Sequence, residues 1–362
     1  MTIIYIVFSI ILLLIVALPY GIFSLLAWLL KQWPVWATSA RWVGIALSVA
    51  VALIFIVGFT WGWKQISVTK VRYAHTSVPS SFDGYKIVQL TDFHIGTLSG
   101  HPEVVQNIVD SVNALQPDLI VFTGDLVSMS SDEETEFHDI LRGFKAKDGV
   151  VSIMGNHDYM MYAHGHRGTE GGKLQTTKAQ VEDIQRLQNA ERDLGWHLLL
   201  NDNYVIHRGA DASALAQSEP SAQSGDSIAI IGVENDGDGK HFPQYGDLVK
   251  AQEGIADGTF KILLSHDPSH WRRSVIPDTN IPLQLSGHTH AMQFMLFGWS
   301  PSSWVYPEWR GVYTYDPEPT TGASRRAELR RTLVVSSGIG EVGIPFRFGA
   351  WPEIVEITLH KQ

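Results

Sequence analysis

Cysteine is absent from this chain of 362 residues. That excludes disulfides, thiolate zinc sites and cysteine nucleophiles, and leaves the redox compartment open. Charge is absent from two long stretches, residues 2–30 and 42–63. Both exceed the roughly 20 apolar residues that cross a bilayer as helix. Pro19 and Gly21 fall late in the first, where a helix is expected to kink or end. A basic leader is lacking too. The first run has no positive n-region, is too long for a cleaved signal peptide, and is followed by a second apolar run. The 63 N-terminal residues hold two of the 27 basic residues and none of the 37 acidic ones, so the remainder carries 25 basic against 37 acidic side chains, formally −12. No broad basic surface follows, and nucleic acid is not an expected partner.

The N-terminal region therefore reads as a transmembrane hairpin (residues 1–63, helices about 3–30 and 42–63), with a buried soluble helical pair as the alternative. Trp33, Trp36, Trp42, Trp61 and Trp63 cluster where amphipathic rings favour the headgroup level. Lys31 and Arg41 lie between the helices, and Lys64, Lys70 and Arg72 follow the second. The positive-inside rule then leans, by a thin margin, toward a C-terminal domain on the cytoplasmic side of an integral membrane protein.

Residues 64–85 read as a tether that becomes a first strand, and 86–362 as the main globular domain. Strand candidates at 86–91, 118–123 and 149–154 alternate with helical stretches at 104–115 and 133–147, which implies a mostly parallel sheet covered on both faces. After a polar stretch at 159–177 and a helix at 178–193, strand-like runs crowd together at 197–200, 204–207, 227–233, 261–265, 283–286, 332–336 and 353–359. Two β-rich layers with helices outside are expected. An Ala/Ser/Gln-rich segment at 210–226 reads as a hairpin tip.

Five motifs sit at the ends of these apolar runs: Asp92-Phe93-His94, Gly124-Asp125, Gly155-Asn156-His157-Asp158, His266, and Gly287-His288-Thr289-His290. The first three are spaced by one βα unit each, so successive parallel strands deliver them to one sheet edge, where open α/β sheets bind ligands. Asp-x-His alone is usually an accident, and Gly-Asp alone is usually a turn. Five such motifs in order supply the carboxylate, imidazole and amide groups that hold two divalent metals.

These residues resemble the calcineurin-like metallophosphoesterase family, from about residue 66 to 359. The stretch Gly338-Ile339-Gly340 through Ile344-Pro345-Phe346-Arg347-Phe348-Gly349, then Pro352-Glu353-Ile354, is similar to the C-terminal signature of its membrane-anchored bacterial branch. The resemblance implies a four-layer α/β/β/α sandwich. It implies one metal held by Asp92, His94, Asp125 and His290, and a second by Asp125, Asn156, His266 and His288. His157 would stabilise the transition state or protonate the leaving oxygen, and a metal-bridging hydroxide would attack. Such ligands suit manganese, iron or zinc better than calcium.

Three departures stand out. Ser128 occupies the position where many relatives carry an Asp that orients the catalytic histidine. Asp158 can substitute, or the acid form works at lower pH. Ala291-Met292 replaces frequent glycines, and Ser337 replaces a frequent arginine and a phosphate contact.

Near these motifs, residues 159–177 with His164, His166 and Arg167 read as a lid or a plain loop. The aromatic run Phe294, Phe297, Trp299, Trp304, Tyr306, Trp309, Tyr313 and Tyr315 reads as inter-sheet packing, or as a grip on an acyl chain or the bilayer. Arg325, Arg326, Arg330 and Arg331 form a basic cluster, solvated or facing anionic headgroups. The leading expectation is a membrane-tethered hydrolase of phosphodiester or pyrophosphate bonds. Its phosphate-ester substrate can be lipid-linked, in the manner of a UDP-diacylglucosamine-like molecule, with membrane lipid as the other partner. A phosphomonoesterase or protein phosphatase is the enzymatic alternative. A non-catalytic metal-binding membrane protein is the alternative of another class.

Overall fold

The computed structural model describes residues 2–163, 169–208, 226–317 and 330–362. Two units separate: Met1–Trp63 with Phe346–Phe348, and Lys64–Pro345 with Gly349–Gln362. His164, His166, Arg167, Arg325, Arg326 and nearly all of the 210–226 segment lie outside the described residues.

The first unit is two helices, α1 (Thr2–Leu29) and α2 (Pro34–Thr60). Each has a segment long and apolar enough to cross a membrane. Small residues set their contact: Ala27, Ala37 and Ala40 are buried, and a Cβ on Gly44 would press on Phe23 Cβ at 2.8 Å. Leu13, Leu14, Trp28, Trp36 and Trp42 point outward. The helix α1 continues through Pro19. The helix α2 begins at Pro34, not near Trp42. Pro34 stands in its first turn, where a missing N–H costs nothing, and Arg41 interrupts the uncharged run without interrupting the helix.

In the second unit, the tether leads into β1 (Ser67–His75). There follow β2 (Lys86–Leu90), α3 (Pro102–Ala114), β3 (Leu119–Phe122), β4 (Val150–Ser152), α4 (Lys178–Asp193), β5 (His197–Leu198), β6 (Asp202–Arg208), β7 (Asp226–Gly232), β8 (Phe260–Leu264), β9 (Leu283–Ser286), β10 (Gly311–Tyr315), β11 (Arg331–Val335) and β12 (Glu353–Lys361). They build two six-stranded sheets, ordered β1-β12-β2-β3-β4-β5 and β10-β11-β9-β8-β7-β6. Within the first, β2 to β5 run parallel, and β12 pairs antiparallel to β2 but parallel to β1. Within the second, β7, β8, β9 and β11 run parallel, with antiparallel β6 and β10 at the edges.

Strand alternation decides what faces the centre. Ile87, Leu119, Val121, Val151 and Ile153 of one sheet share a core with Ile228, Ile230, Ile262, Leu264, Leu283, Leu285 and Val334 of the other. The outward Ile231, Leu263, Leu333 and Val335 pack with Trp271 and Val275 of a short helical segment. Helix α3 buries Val104, Val105, Ile108, Val109 and Val112. The result is the four-layer α/β/β/α sandwich. The helix expected over 133–147 is instead two turns, Asp132–Thr135 and His138–Leu141. Between them Phe137 is fully buried, and the Glu136 carboxylate accepts from Ser99 Oγ and the Gly100 N–H. Tertiary contacts thus outweigh the helical period.

Candidate metal centre

Every predicted site residue lies just past a strand end: Asp92 and His94 after β2, Asp125 after β3, Asn156 and His157 after β4, His266 after β8, and His288 and His290 after β9. Three adjacent parallel strands of one sheet and two of the other thus deliver side chains to a common edge. Gln89 ties the sheets together there, donating from Nε2 to the Ser286 carbonyl at 2.8 Å.

The backbone is strained where these groups emerge. Asp92, His94, Asp125, His288 and His290 all have φ between 42° and 75°, a left-handed conformation that costs about 1–2 kcal/mol per non-glycine residue. Ala291 and Met292 share it, at 49° and 46°, which accounts for glycine suiting those positions. Hydrogen bonds fix the strained loops. Asp158 accepts from the N–H groups of Asp125, Leu126, Val127 and Gly155 at 2.7–3.2 Å. The His157 N–H donates to Asp125 Oδ1 at 2.8 Å, and the His288 N–H to Asp92 at 3.0 Å. Gly155 and Gly287 are required by proximity, since a Cβ on the first would collide with Asp125 and on the second with Thr91 and Asp92.

The convergence is tight and buried. His290 Nε2 lies 3.1 Å from both Asp92 Oδ1 and His94 Nε2. Asp125 Oδ2 lies 3.1 Å from His266 Nε2 and 3.6 Å from His94 Nε2. His288 Nδ1 and Asn156 Oδ1 face one another at 2.9 Å. Asp92, His94 and His290 form one metal-competent group, and Asp92, Asp125 and His266 another. His157 joins His94 and Asp125 in a third. Asn156 and His288 stand as a pair beside these groups.

These contacts call for cations. His266 Nδ1 faces the Thr123 carbonyl at 2.8 Å, which only accepts, so Nδ1 carries a proton and Nε2 is the nitrogen turned toward Asp125. Nε2 is buried and makes no hydrogen bond. Burial works against a charged ring, yet the Asp125 carboxylate holds His266 up at about 10. Burial likewise opposes ionisation of Asp125, which His266 and His157 nonetheless hold well below the usual carboxylate range. His94 is driven down by burial and by the neighbouring His157 and His290. Carboxylates, imidazole nitrogens and an amide oxygen pointed at one another form a donor set that fits divalent cations.

One expectation is corrected. Asp158 does not orient His157, because its oxygens serve the four backbone N–H groups. The ring is held instead by the Ser128 main chain, whose carbonyl lies 2.9 Å from His157 Nδ1. The Ser128 hydroxyl faces His94 Nδ1 at 3.3 Å. Ser337 is buried against Glu353, receiving no exposure to substrate, and Arg310 pairs with the same carboxylate.

A cavity of about 350 Å³ opens over Asp125, Asn156, His157, His288 and His290, walled by Tyr162, Phe242, Met292, Tyr306, Val342 and Ile344. Sequence reasoning missed Phe242 altogether and reached Tyr162 only as an unnamed part of the 159–177 stretch read as a lid or a plain loop. Tyr306 stood in the aromatic run, but its role comes only from the fold: its hydroxyl lies 3.0 Å from His288 Nε2, with Asp267 Oδ2 at 3.8 Å.

The profile of the calcineurin-like phosphoesterase family matches residues 85–292. The chain is 29% identical over 303 residues to the uncharacterized metallophosphoesterase YkuE of Bacillus subtilis, covering 82% of this chain and 86% of that one. It is 27% identical to a bovine transmembrane protein with metallophosphoesterase domain, across 87% of this chain and 62% of the relative's length. It is 27% identical to the UDP-2,3-diacylglucosamine pyrophosphatase LpxG of Chlamydia trachomatis, across 82% and 92%.

Proposed function

Because the chain belongs to the calcineurin-like phosphoesterase family and is a metal-dependent phosphoesterase, we propose that it hydrolyses a phosphodiester or pyrophosphate bond in a lipid-linked substrate. The observation that carries this is the cavity lining. Anion-attracting chemistry is confined to its floor, the walls are mainly aromatic and aliphatic with the uncharged Thr289 and Gln293 among them, and no lysine or arginine lines it among the described residues. A terminal phosphate dianion gains nothing from such walls, whereas a bond flanked by an apolar substituent does. LpxG, a relative of similar extent, acts on a lipid-bearing nucleotide by its name.

Asp92, His94, Asp125 and His290 would hold one cation, and Asp125, Asn156, His266 and His288 the other, with Asp125 shared. When bound, two divalent cations supply an acidified water and neutralise charge on the phosphoryl oxygens. The remaining work falls to the chain. His157 lines the cavity, wedged between the rings of His94 and Tyr162 at 4.6 and 4.4 Å. With Nδ1 on the Ser128 carbonyl, its Nε2 is the atom free to pass a proton to the leaving oxygen. Tyr162 and Phe242 exclude water and hold the substituent. The helices α1 and α2 anchor the chain in the bilayer, and the basic residues that follow α2 favour a cytoplasmic catalytic unit.

The test is a substrate screen on the full chain in detergent with manganese, Asp125→Asn serving as control. Phosphomonoesters, water-soluble diesters, nucleotide-linked lipids and phospholipids are compared. Preference for the lipid-bearing substrates is expected. Full activity on soluble diesters with none on lipids would sink the lipid-linked reading, and preference for monoesters would replace it with a phosphatase.

A further inference from the structure

We propose that the loop between His290 and Glu308 is an interfacial foot, seating the mouth of the catalytic cavity on the surface of a phospholipid bilayer. The inference rests on the reading of α1 and α2 as membrane spans.

Seventeen consecutive residues, 291–307, carry no charge. They rise into a tight hairpin in which the Leu296 and Trp299 main chains bond each other at 2.9 and 3.1 Å. The two residues at its apex, Phe297 and Gly298, both have positive φ, 51° and 79°. Such a turn favours Asn-Gly, and phenylalanine there is strained. Its ring gains nothing from the protein either, since Phe297 is 99% exposed. Beside it Trp304 is 77% exposed and Val305 60%, and the Trp304 ring meets Trp299 edge-on at 5.1 Å. Single exposed apolar residues are ordinary; a strained aromatic apex flanked by two tryptophans is not.

The foot is braced at its base. Ser300 is fully buried and donates to the Ala291 carbonyl at 2.6 Å. Its two ends, Met292 at one side and Tyr306 at the other, line the cavity, so the foot springs from the cavity wall itself. A bilayer surface is the occupant that suits it. Uncharged aromatic rings favour the headgroup level, and only six residues separate α2 from β1, so the tether between anchor and catalytic unit is short. A phosphate bond in a lipid headgroup would then enter the cavity without the lipid leaving the membrane.

The lack of cysteine makes the test clean. The full chain carrying Phe297→Cys, or Val249→Cys as an exposed site elsewhere (80% exposed), is labelled with an environment-sensitive fluorophore and reconstituted into phosphatidylglycerol–phosphatidylcholine vesicles. Resistance to carbonate extraction first establishes that the chain is anchored. The expected result is a blue-shifted label at 297, quenched by spin-labelled lipid, with neither effect at 249. A carbonate-resistant protein whose label at 297 reads water overturns the foot while leaving the anchor intact. A blue shift without lipid quenching also overturns it, in favour of a protein partner or a second copy. Release by carbonate defeats the anchor on which the inference rests, and the foot with it. In addition, Phe297→Ser should raise KM for a vesicle-embedded substrate by about tenfold, as loss of a partly buried aromatic ring implies, and leave turnover of a soluble diester unchanged. An equal effect on both substrates would overturn the foot.

Discussion

Glu191 offers a stability test that depends on one buried carboxyl. It lies on α4 with no exposure. One oxygen receives the Ser152 hydroxyl at the end of β4, and the other has no hydrogen-bond partner among the described residues. Burial, reinforced by the charge of Asp158, pushes its pKa from 4.5 up to about 8. A carboxyl that binds its proton more tightly in the fold stabilises the fold below its unfolded pKa. That contribution is lost as pH rises through the folded value. Each pH unit in the window between the two is worth about 1.4 kcal/mol, so the total is on the order of 5 kcal/mol. In a catalytic unit of this size that corresponds to roughly 10 °C in melting temperature. Glu191→Gln keeps the shape and removes the titration. With manganese held in excess, melting followed by tryptophan fluorescence from pH 5 to 8.5 should fall about 10 °C further for the wild type than for the variant. Parallel curves would refute the buried, protonated state of Glu191.

Two side chains at the site separate binding from chemistry. Tyr306→Phe removes the hydroxyl facing His288 Nε2. It should weaken metal binding by about 10–100-fold, as read by chelator competition, with turnover recovered at saturating metal; unchanged affinity would assign Tyr306 to substrate contact alone. His157→Gln should lower kcat by about 10²–10⁴-fold while metal content by mass spectrometry stays at wild-type level. Because His157 also sits within reach of Asp125 and His94, parallel loss of metal would make it a ligand instead.

The sequence was most informative where a single chemical demand acts at one position. Ligand atoms must emerge from strand ends, so the motifs at Asp92, Asp125, Asn156, His266 and His288 were visible as polar residues terminating apolar runs. The two glycines that permit close approach, Gly155 and Gly287, were visible as parts of the same motifs. Long-range partnerships left no such trace. Phe242 reaches the cavity from a loop between β7 and β8, and packs edge-on against the His288 ring at 4.8 Å, with no periodicity to announce it. Residues 133–147 looked helical because their apolar spacing is helical, yet the burial of Phe137 and the Glu136 contacts break the helix. The aromatic run divides in a way its composition does not reveal. Tyr306 turns in toward His288, whereas Phe297 and Trp304 turn out.

Asp158 shows most directly how the strained site is maintained. It follows the histidine in Gly155-Asn156-His157-Asp158, and adjacency alone suggested a partner for that ring. The geometry assigns it a different task. Its two oxygens collect four N–H groups from the loops after β3 and β4, so the carboxylate acts as an acceptor throughout. Left-handed backbone at Asp125 persists only if its surroundings over-determine it, and these four bonds supply that constraint. Asp158→Asn keeps size and shape but turns one oxygen into a donor. Whichever way the amide is oriented, two buried N–H groups then face an NH₂. At about 1–3 kcal/mol for each unsatisfied buried donor, the loss is about 2–6 kcal/mol, and Asp125 is free to leave its strained conformation. The variant should therefore melt at least about 4 °C lower, on the scale of about 2–4 °C per kcal/mol, and lose metal affinity as well. His157→Gln, by contrast, should keep its metal. An Asp158→Asn protein with wild-type melting and wild-type metal binding would show that the loops hold Asp125 without the carboxylate, and that the strain at the metal centre is maintained by other contacts.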